Sequence, residues 1–324
     1  MTTAHHPTAE ANEKLGAGYL ARTLEPGRPA DHDPAFFADD PAQAGDGGGA
    51  IVVTPTSGGD RTWDDIVGER PDLADWAAER WLANRGALPA VPVGYPDARN
   101  GYHRLAYGIV AEARRLANTK FGLRYTRGGF GTPFFGDDEQ VRVENGQLVQ
   151  QRGDQADAIA ITTLRAAADF LGIEPGTDAG EHDSPPLGDF DEDLGATAET
   201  GDFLAAWFGF AWAVLEELRL TEGAADVERT QLWPGHFDPA IAMGDAEAGA
   251  RATYGASPGD GSHDEPYLYV GAWGDVDRSD PYWNETEFNG ASKTYAELRT
   301  AKDPVAEAIE FFRGGYERLT RRAG

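Results

Sequence analysis

The chain has 324 residues, with 28 Lys and Arg against 55 Asp and Glu, a formal net charge of −27, 40% hydrophobic residues and no cysteine. The composition is that of a globular protein, and without cysteine there are no disulfides, thiol nucleophiles, thiolate zinc sites or iron–sulfur clusters. The negative charge disfavours nucleic acid and anionic membranes as partners, no apolar run reaches about 18 residues, and no secretory signal is visible at the start, so a soluble, cytoplasmic protein is expected.

Residues 1–50 read as an irregular N-terminal extension: a short helix over 12–24, then a Pro/Gly/Asp-rich stretch ending in Gly47-Gly48-Gly49. Residues 51–173 read as a helical layer plus a first antiparallel sheet. Leu73, Trp76, Ala77 and Trp81 are spaced for one apolar helix face after Pro71, and Asn84 to Pro96 reads as proline-broken loop. Asp97 or Asn100 is placed to cap a helix carrying Leu105, Ala106, Ile109, Val110, Ala113, Leu116 and Ala117 on one stripe. From Phe121 the period changes to two. Strands are expected over 122–126 and 130–135, then a hairpin of 140–144 and 147–152 around Asn145-Gly146, the pair that a type I′ turn requires. That turn sets Val143 opposite Leu148. A strand over 158–161 follows, then a helix capped by Thr162 or Thr163 and stopped by Gly172.

Residues 174–200 form an acidic connector; Asp189-Phe-Asp-Glu-Asp-Leu-Gly195 only half resembles a calcium loop. Residues 201–324 repeat the order of helix then antiparallel sheet. Phe203, Leu204, Trp207, Phe208, Ala211, Val214, Leu215 and Leu218 outline a buried helix. Strands are expected over 230–237, 240–243, 251–254 and 267–273, and Asp303-Pro304 opens a last helix. The fold class is therefore α+β, with antiparallel meanders each packed against helices in two similar halves.

Few segments carry chemistry. Gly128-Gly-Phe-Gly-Thr-Pro-Phe-Phe-Gly136 lacks the Gly-Lys-Ser/Thr ending of a phosphate loop and leads into strand, although Arg124 and Arg127 beside it are placed to bind an anion. Neither a Gly-x-Ser-x-Gly elbow nor a His-Glu-x-x-His pair occurs. A three-histidine metal site needs His103, His236 and His263 to converge, and nothing in their spacing requires it, so neither metal nor cofactor is expected. The densest stretch is Gln231-Leu-Trp-Pro-Gly-His-Phe-Asp238. On one extended segment His236 and Asp238 share a face, the arrangement in which a carboxylate orients an imidazole as general base. The bland alternative is that both bond loop backbone while Trp233 fills core. Tyr267, Tyr269 and Trp273 add an aromatic face with acids nearby, which suits sugars and organic cations.

The strand–Gly–strand–Gly136-Asp137-Asp138–hairpin order, then Ala168-Asp-Phe-Leu-Gly-Ile173, then a Trp segment ending in His236-Phe237-Asp238, resembles bacterial protein families of unknown function. The resemblance spans roughly residues 100–275. It departs at the Trp-to-Phe-Asp spacing and in the first hundred residues, and it implies a compact domain with no transferable catalytic residues. The expected function is binding of a small polar molecule, a sugar or organic cation, in a pocket between the two sheets. Trp233, His236, Asp238, Tyr267, Tyr269 and Trp273 would line it, with Arg124 and Arg127 as further ligand contacts. The alternatives are a cofactor-independent hydrolase using His236 as base with Asp238, and a non-enzymatic scaffold whose aromatic cluster is an interface.

Overall fold

The structure, a computed structural model, describes strands β1 (Ile51–Val52) and β2 (Arg61–Thr62), and residues 88–323 apart from 127, 134–138, 153–154, 177–183, 220 and 229. The expectations for 1–50, for the Trp76–Trp81 helix, for Phe134 to Asp138 and for Arg127 lie outside these residues. β1 and β2 pair as a small antiparallel ribbon.

The first half opens with helix α1 (Tyr95–Leu105), continues through a π-helical turn (Ala106–Val110) and ends in α2 (Ala111–Asn118). The helix starts earlier than the capping residues suggested. Gly94 is the N-cap and no side chain caps it; Pro96 sits in the first turn, where a missing N–H costs nothing. The π turn shifts the apolar stripe and leaves Leu116 exposed. Five strands follow in sequential antiparallel order: β3 (Arg124–Thr126), β4 (Gly129–Gly131), β5 (Glu139–Glu144), β6 (Gln147–Arg152) and β7 (Gln155–Ala160). Val143 pairs with Leu148 around Asn145 and Gly146, whose φ values of 51° and 72° are those of the expected turn. Helix α3 (Leu164–Leu171) is capped by Thr163, which accepts from the Ala166 N–H, and ends at left-handed Gly172.

In the connector, Arg165 and Arg104 pair with Asp191 and Glu192, and Asp189 and Asp193 accept backbone N–H bonds two residues on. The second half begins with α4 (Ala198–Arg219), apolar nearly all round and therefore central. A second sequential meander comprises β8 (Gln231–Trp233), β9 (Asp238–Met243), β10 (Ala252–Ser257), β11 (Tyr267–Ala272) and β12 (Gly290–Thr294). Helix α5 (Tyr295–Thr300), held by a Thr294–Glu297 capping box, leads to α6 (Pro304–Ala323).

The two sheets meet edge to edge rather than face to face. Leu123, just before β3, and Leu232 of β8 exchange both backbone hydrogen bonds at 2.8 and 2.9 Å in an antiparallel bridge. Leu123, Phe130, Val143, Leu232, Tyr254 and Leu268 bury their side chains in one core with α4. Alternation then turns Arg124, Gln140, Arg142, Asp238, Gly255 and Tyr269 to the opposite, non-core face. A site shared by both sheets belongs on that face, because there is no gap between facing sheets for it to fill.

Candidate functional site

Residues 234–237 form a turn between β8 and β9, and it inverts the side-chain order that a continuous strand would give. Phe237 adopts φ 57°, a left-handed conformation that a bulky residue keeps only where packing enforces it. Its ring is buried at 4.9 Å from the Phe130 ring and 5.2 Å from that of Phe208, and it stacks on His103 at 5.2 Å. With Phe237 fixed inward, His236 is turned to solvent and Asp238 enters β9 on the non-core face.

His103 of α1 braces the turn. Its Nε2 lies 2.9 Å from the Pro234 carbonyl oxygen and 3.0 Å from that of Gly235, and Ser184 Oγ donates to the Gly235 carbonyl at 3.1 Å. Both contacts require a proton on Nε2. Burial favours the neutral ring, and its pKa falls to about 4 despite these two hydrogen bonds. Sequence reading named His103 as one of three histidines but could not place it here, 131 residues from its partner carbonyl.

Asp238 is 2% exposed. Its Oδ2 accepts a hydrogen bond from the Tyr269 hydroxyl, and its Oδ1, sealed from solvent, has no hydrogen-bond partner among the described residues. Burial raises the carboxyl pKa, opposed by the charge of His236 and by the tyrosine hydrogen bond. The same burial, with the adjacent carboxylate, pushes the Tyr269 phenol well above its ordinary value. Tyr269 reaches Asp238 by lying across β10 at Gly255, its cross-strand partner; a Cβ there would overlap the tyrosine ring. The strand expected over 251–254 continues through Gly255 to Ser257.

Tyr267 faces the same side, 6.2 Å from Tyr269 ring to ring, and donates to Asp260 Oδ2 at 2.6 Å. Asp260 Oδ1 is 3.2 Å from His263 Nδ1, and His263 Nε2 is 3.7 Å from Glu285 Oε1, which accepts from Ser292 Oγ. Burial raises the Asp260 pKa, but its hydrogen bonds from Tyr267, the Ser262 N–H and His263 outweigh that and leave it lowered. Ser292 pairs across the sheet with Tyr269, so this second chain of polar groups abuts the first. None of Asp260, His263, Glu285 and Ser292 was among the expected site residues. Asp260, His263 and Glu285 lie on loops and Ser292 on β12, and their meeting depends on the β10–β11–β12 register.

Trp273 continues the row beyond Gly271. It is 62% exposed, donates from Nε1 to Thr253 Oγ1 at 3.0 Å, and carries the Arg251 guanidinium 4.8 Å from its ring centre. Trp233, half-buried, packs against Phe121 at 6.4 Å. The structure thus joins Asp238, Tyr269 and Tyr267 directly, sets His236 beside Asp238 at the solvent edge, and leaves Trp273 about 13 Å along the strand from Tyr269, at about 3.3 Å per residue. Arg124 lies on the same face in the first sheet, buried, with Nε donating to the Tyr125 carbonyl at 2.9 Å.

Among the described residues no three His, Cys, Asp or Glu side chains are grouped to hold a metal ion, and no helix is long and apolar enough to cross a membrane. A separate surface cleft of about 380 Å³, beside Val276, Trp283 and Arg318, contains none of the expected site residues. No family model, curated protein or solved structure matches the chain.

Proposed function

We propose that the non-core face of the second sheet binds a small polar molecule bearing hydroxyl or ammonium donors, a sugar or an organic cation. The observation that carries this reading is Asp238 Oδ1: a buried carboxylate oxygen without a partner among the described residues costs roughly 1–3 kcal/mol, and a ligand donor would recover it. His236 at the edge supplies a polar contact, and the half-buried Tyr269 ring beside Asp238 supplies an aromatic surface. The hydrolytic alternative has less support, because the Asp238 carboxyl accepts its side-chain hydrogen bond from Tyr269 and His236 acts on it through charge. The scaffold alternative finds little apolar surface: the exposed large hydrophobics among the described residues are Val93, Leu116 and Trp273, on a loop, a helix and a strand end.

The test is titration of tryptophan fluorescence with a panel of mono- and disaccharides and a panel of amines, choline included. A saturable change is expected with one panel. It should vanish in Asp238→Asn and in His236→Ala, the latter without loss of fold because His236 is exposed. A wild-type protein blind to both panels, or an Asp238→Asn variant that binds as wild type does, would overturn the reading.

A further inference from the structure

In the first sheet the non-core face is polar and buried at Arg124, Thr126, Gln140 and Arg142. Arg124 of β3 and Arg142 of β5 both pair with Gly131 of β4, so one cross-strand row reads Arg–Gly–Arg, with no side chain between the two arginines. Gly131 is confined to glycine by close approach: a Cβ would stand 2.5 Å from Arg142 Cβ and 2.7 Å from the Val141 carbonyl oxygen. Both arginines are buried, Arg142 completely. Arg142 Nε pairs with Glu144 at 3.0 Å and Nη1 donates to Gln151 at 3.2 Å, while Nη2 has no partner among the described residues. Thr126 Oγ1 and Gln140 Oε1, on the same face two residues from Arg124 and Arg142, are also buried without partners. Thr132 Oγ1 and its carbonyl, by contrast, are engaged by the Val141 N–H and by Gln140 Nε2.

A guanidinium stripped of water with a spare N–H is costly to fold unless something accepts from it. Burial already pulls the Arg142 pKa down to about 10, against the support of Glu144. Among the described residues the charged groups on this stretch of the face are Arg124, Arg142 and Glu144. The Cα atoms of Arg124 and Arg142 are two strand spacings apart, about 10 Å, a span that two arginine side chains can close on one small group.

We propose that this row is an oxyanion site, in which Arg142 Nη2 and the Thr126 hydroxyl receive a carboxylate or phosphoryl group over Gly131, with Arg124 supplying further positive charge. The proposal stands apart from the ligand read into the second sheet. Guanidinium and hydroxyl donors suit both groups, and the probes separate them.

Isothermal titration calorimetry at fixed ionic strength, with chloride replaced by acetate, sulfate or inorganic phosphate, tests it. One-to-one saturable binding of acetate assigns a carboxylate, and of phosphate or sulfate a tetrahedral oxyanion. Arg142→Met should weaken it at least tenfold and Thr126→Val severalfold, while Tyr269→Phe, in the other sheet, leaves it unchanged. Absence of saturable binding by all three anions overturns the proposal, as does wild-type affinity in Arg142→Met. Should that variant not fold, Thr126→Val decides, since it keeps the shape of the side chain: wild-type affinity there overturns the site.

Discussion

Asp238, which follows the 234–237 turn, and His103, which braces that turn from α1, are two buried titratable groups whose perturbations oppose each other. The Asp238 pKa is raised in the folded protein, so the folded state holds its proton longer than the unfolded chain does. That contribution is complete below the ordinary carboxylate pKa and is lost as pH rises through the folded value. The His103 pKa is lowered to about 4, so between pH 6.5 and 4 the unfolded chain binds the extra proton and stability falls as pH drops. In the wild type the two slopes partly cancel over the shared window. Asp238→Asn removes one of them. Urea unfolding of that variant between pH 4 and 6.5 should therefore rise more steeply with pH than the wild type does. Parallel curves would mean that Asp238 ionises normally and that its burial has little thermodynamic weight.

At the scale of elements, the Asn145-Gly146 hairpin is the feature most firmly encoded locally. Gly146 has φ 72°, and a Cβ there would also stand 2.9 Å from Ala198 Cα at the start of α4. Gly146→Val should cost about 1–3 kcal/mol from backbone strain, with steric pressure on α4 added. An unchanged melting temperature would contradict both terms. This hairpin, the Thr163 cap and the Gly172 stop were legible because each rests on residues within a turn of one another. The N-terminus of α1 was not, because it has no capping side chain to read, and the extension of β10 through Gly255 was not, because glycine there serves the Tyr269 ring rather than a loop. The candidate site divides the same way. Trp233, His236, Asp238, Tyr267 and Tyr269 stand out from sequence by their density. The hydrogen bond from Tyr269 to Asp238, the brace from His103 and the Asp260–His263–Glu285 chain exist only through strand register and helix packing.

At the scale of the whole molecule, the two halves share one order, helix then five-stranded meander then helix, and they join through the equivalent first strands β3 and β8. The halves are therefore similar in the order of their elements and are joined edge to edge by one antiparallel bridge. The charge is where this assembly is most exposed to its surroundings. With 28 basic residues against 55 acidic ones, 27 carboxylates lack a cationic counterpart, while exposed pairs such as Arg165–Asp191 at 2.7 Å are screened by solvent and add little to stability. Salt weakens those pairs, but it also screens the more numerous like-charge repulsions. Raising ionic strength from 0.01 to 1 M shortens the Debye length from about 30 to about 3 Å, less than the spacing of most surface charges. Self-repulsion destabilises the compact state more than the expanded one, so screening favours folding. The melting temperature in potassium chloride at fixed pH should therefore climb across that range, most steeply at the low end. Chloride rather than sulfate is the salt to use, since sulfate strengthens apolar burial in any protein and would mask the electrostatic effect. A flat or falling melting temperature would show that the ion pairs, and not the excess of carboxylates, govern the electrostatics of this fold.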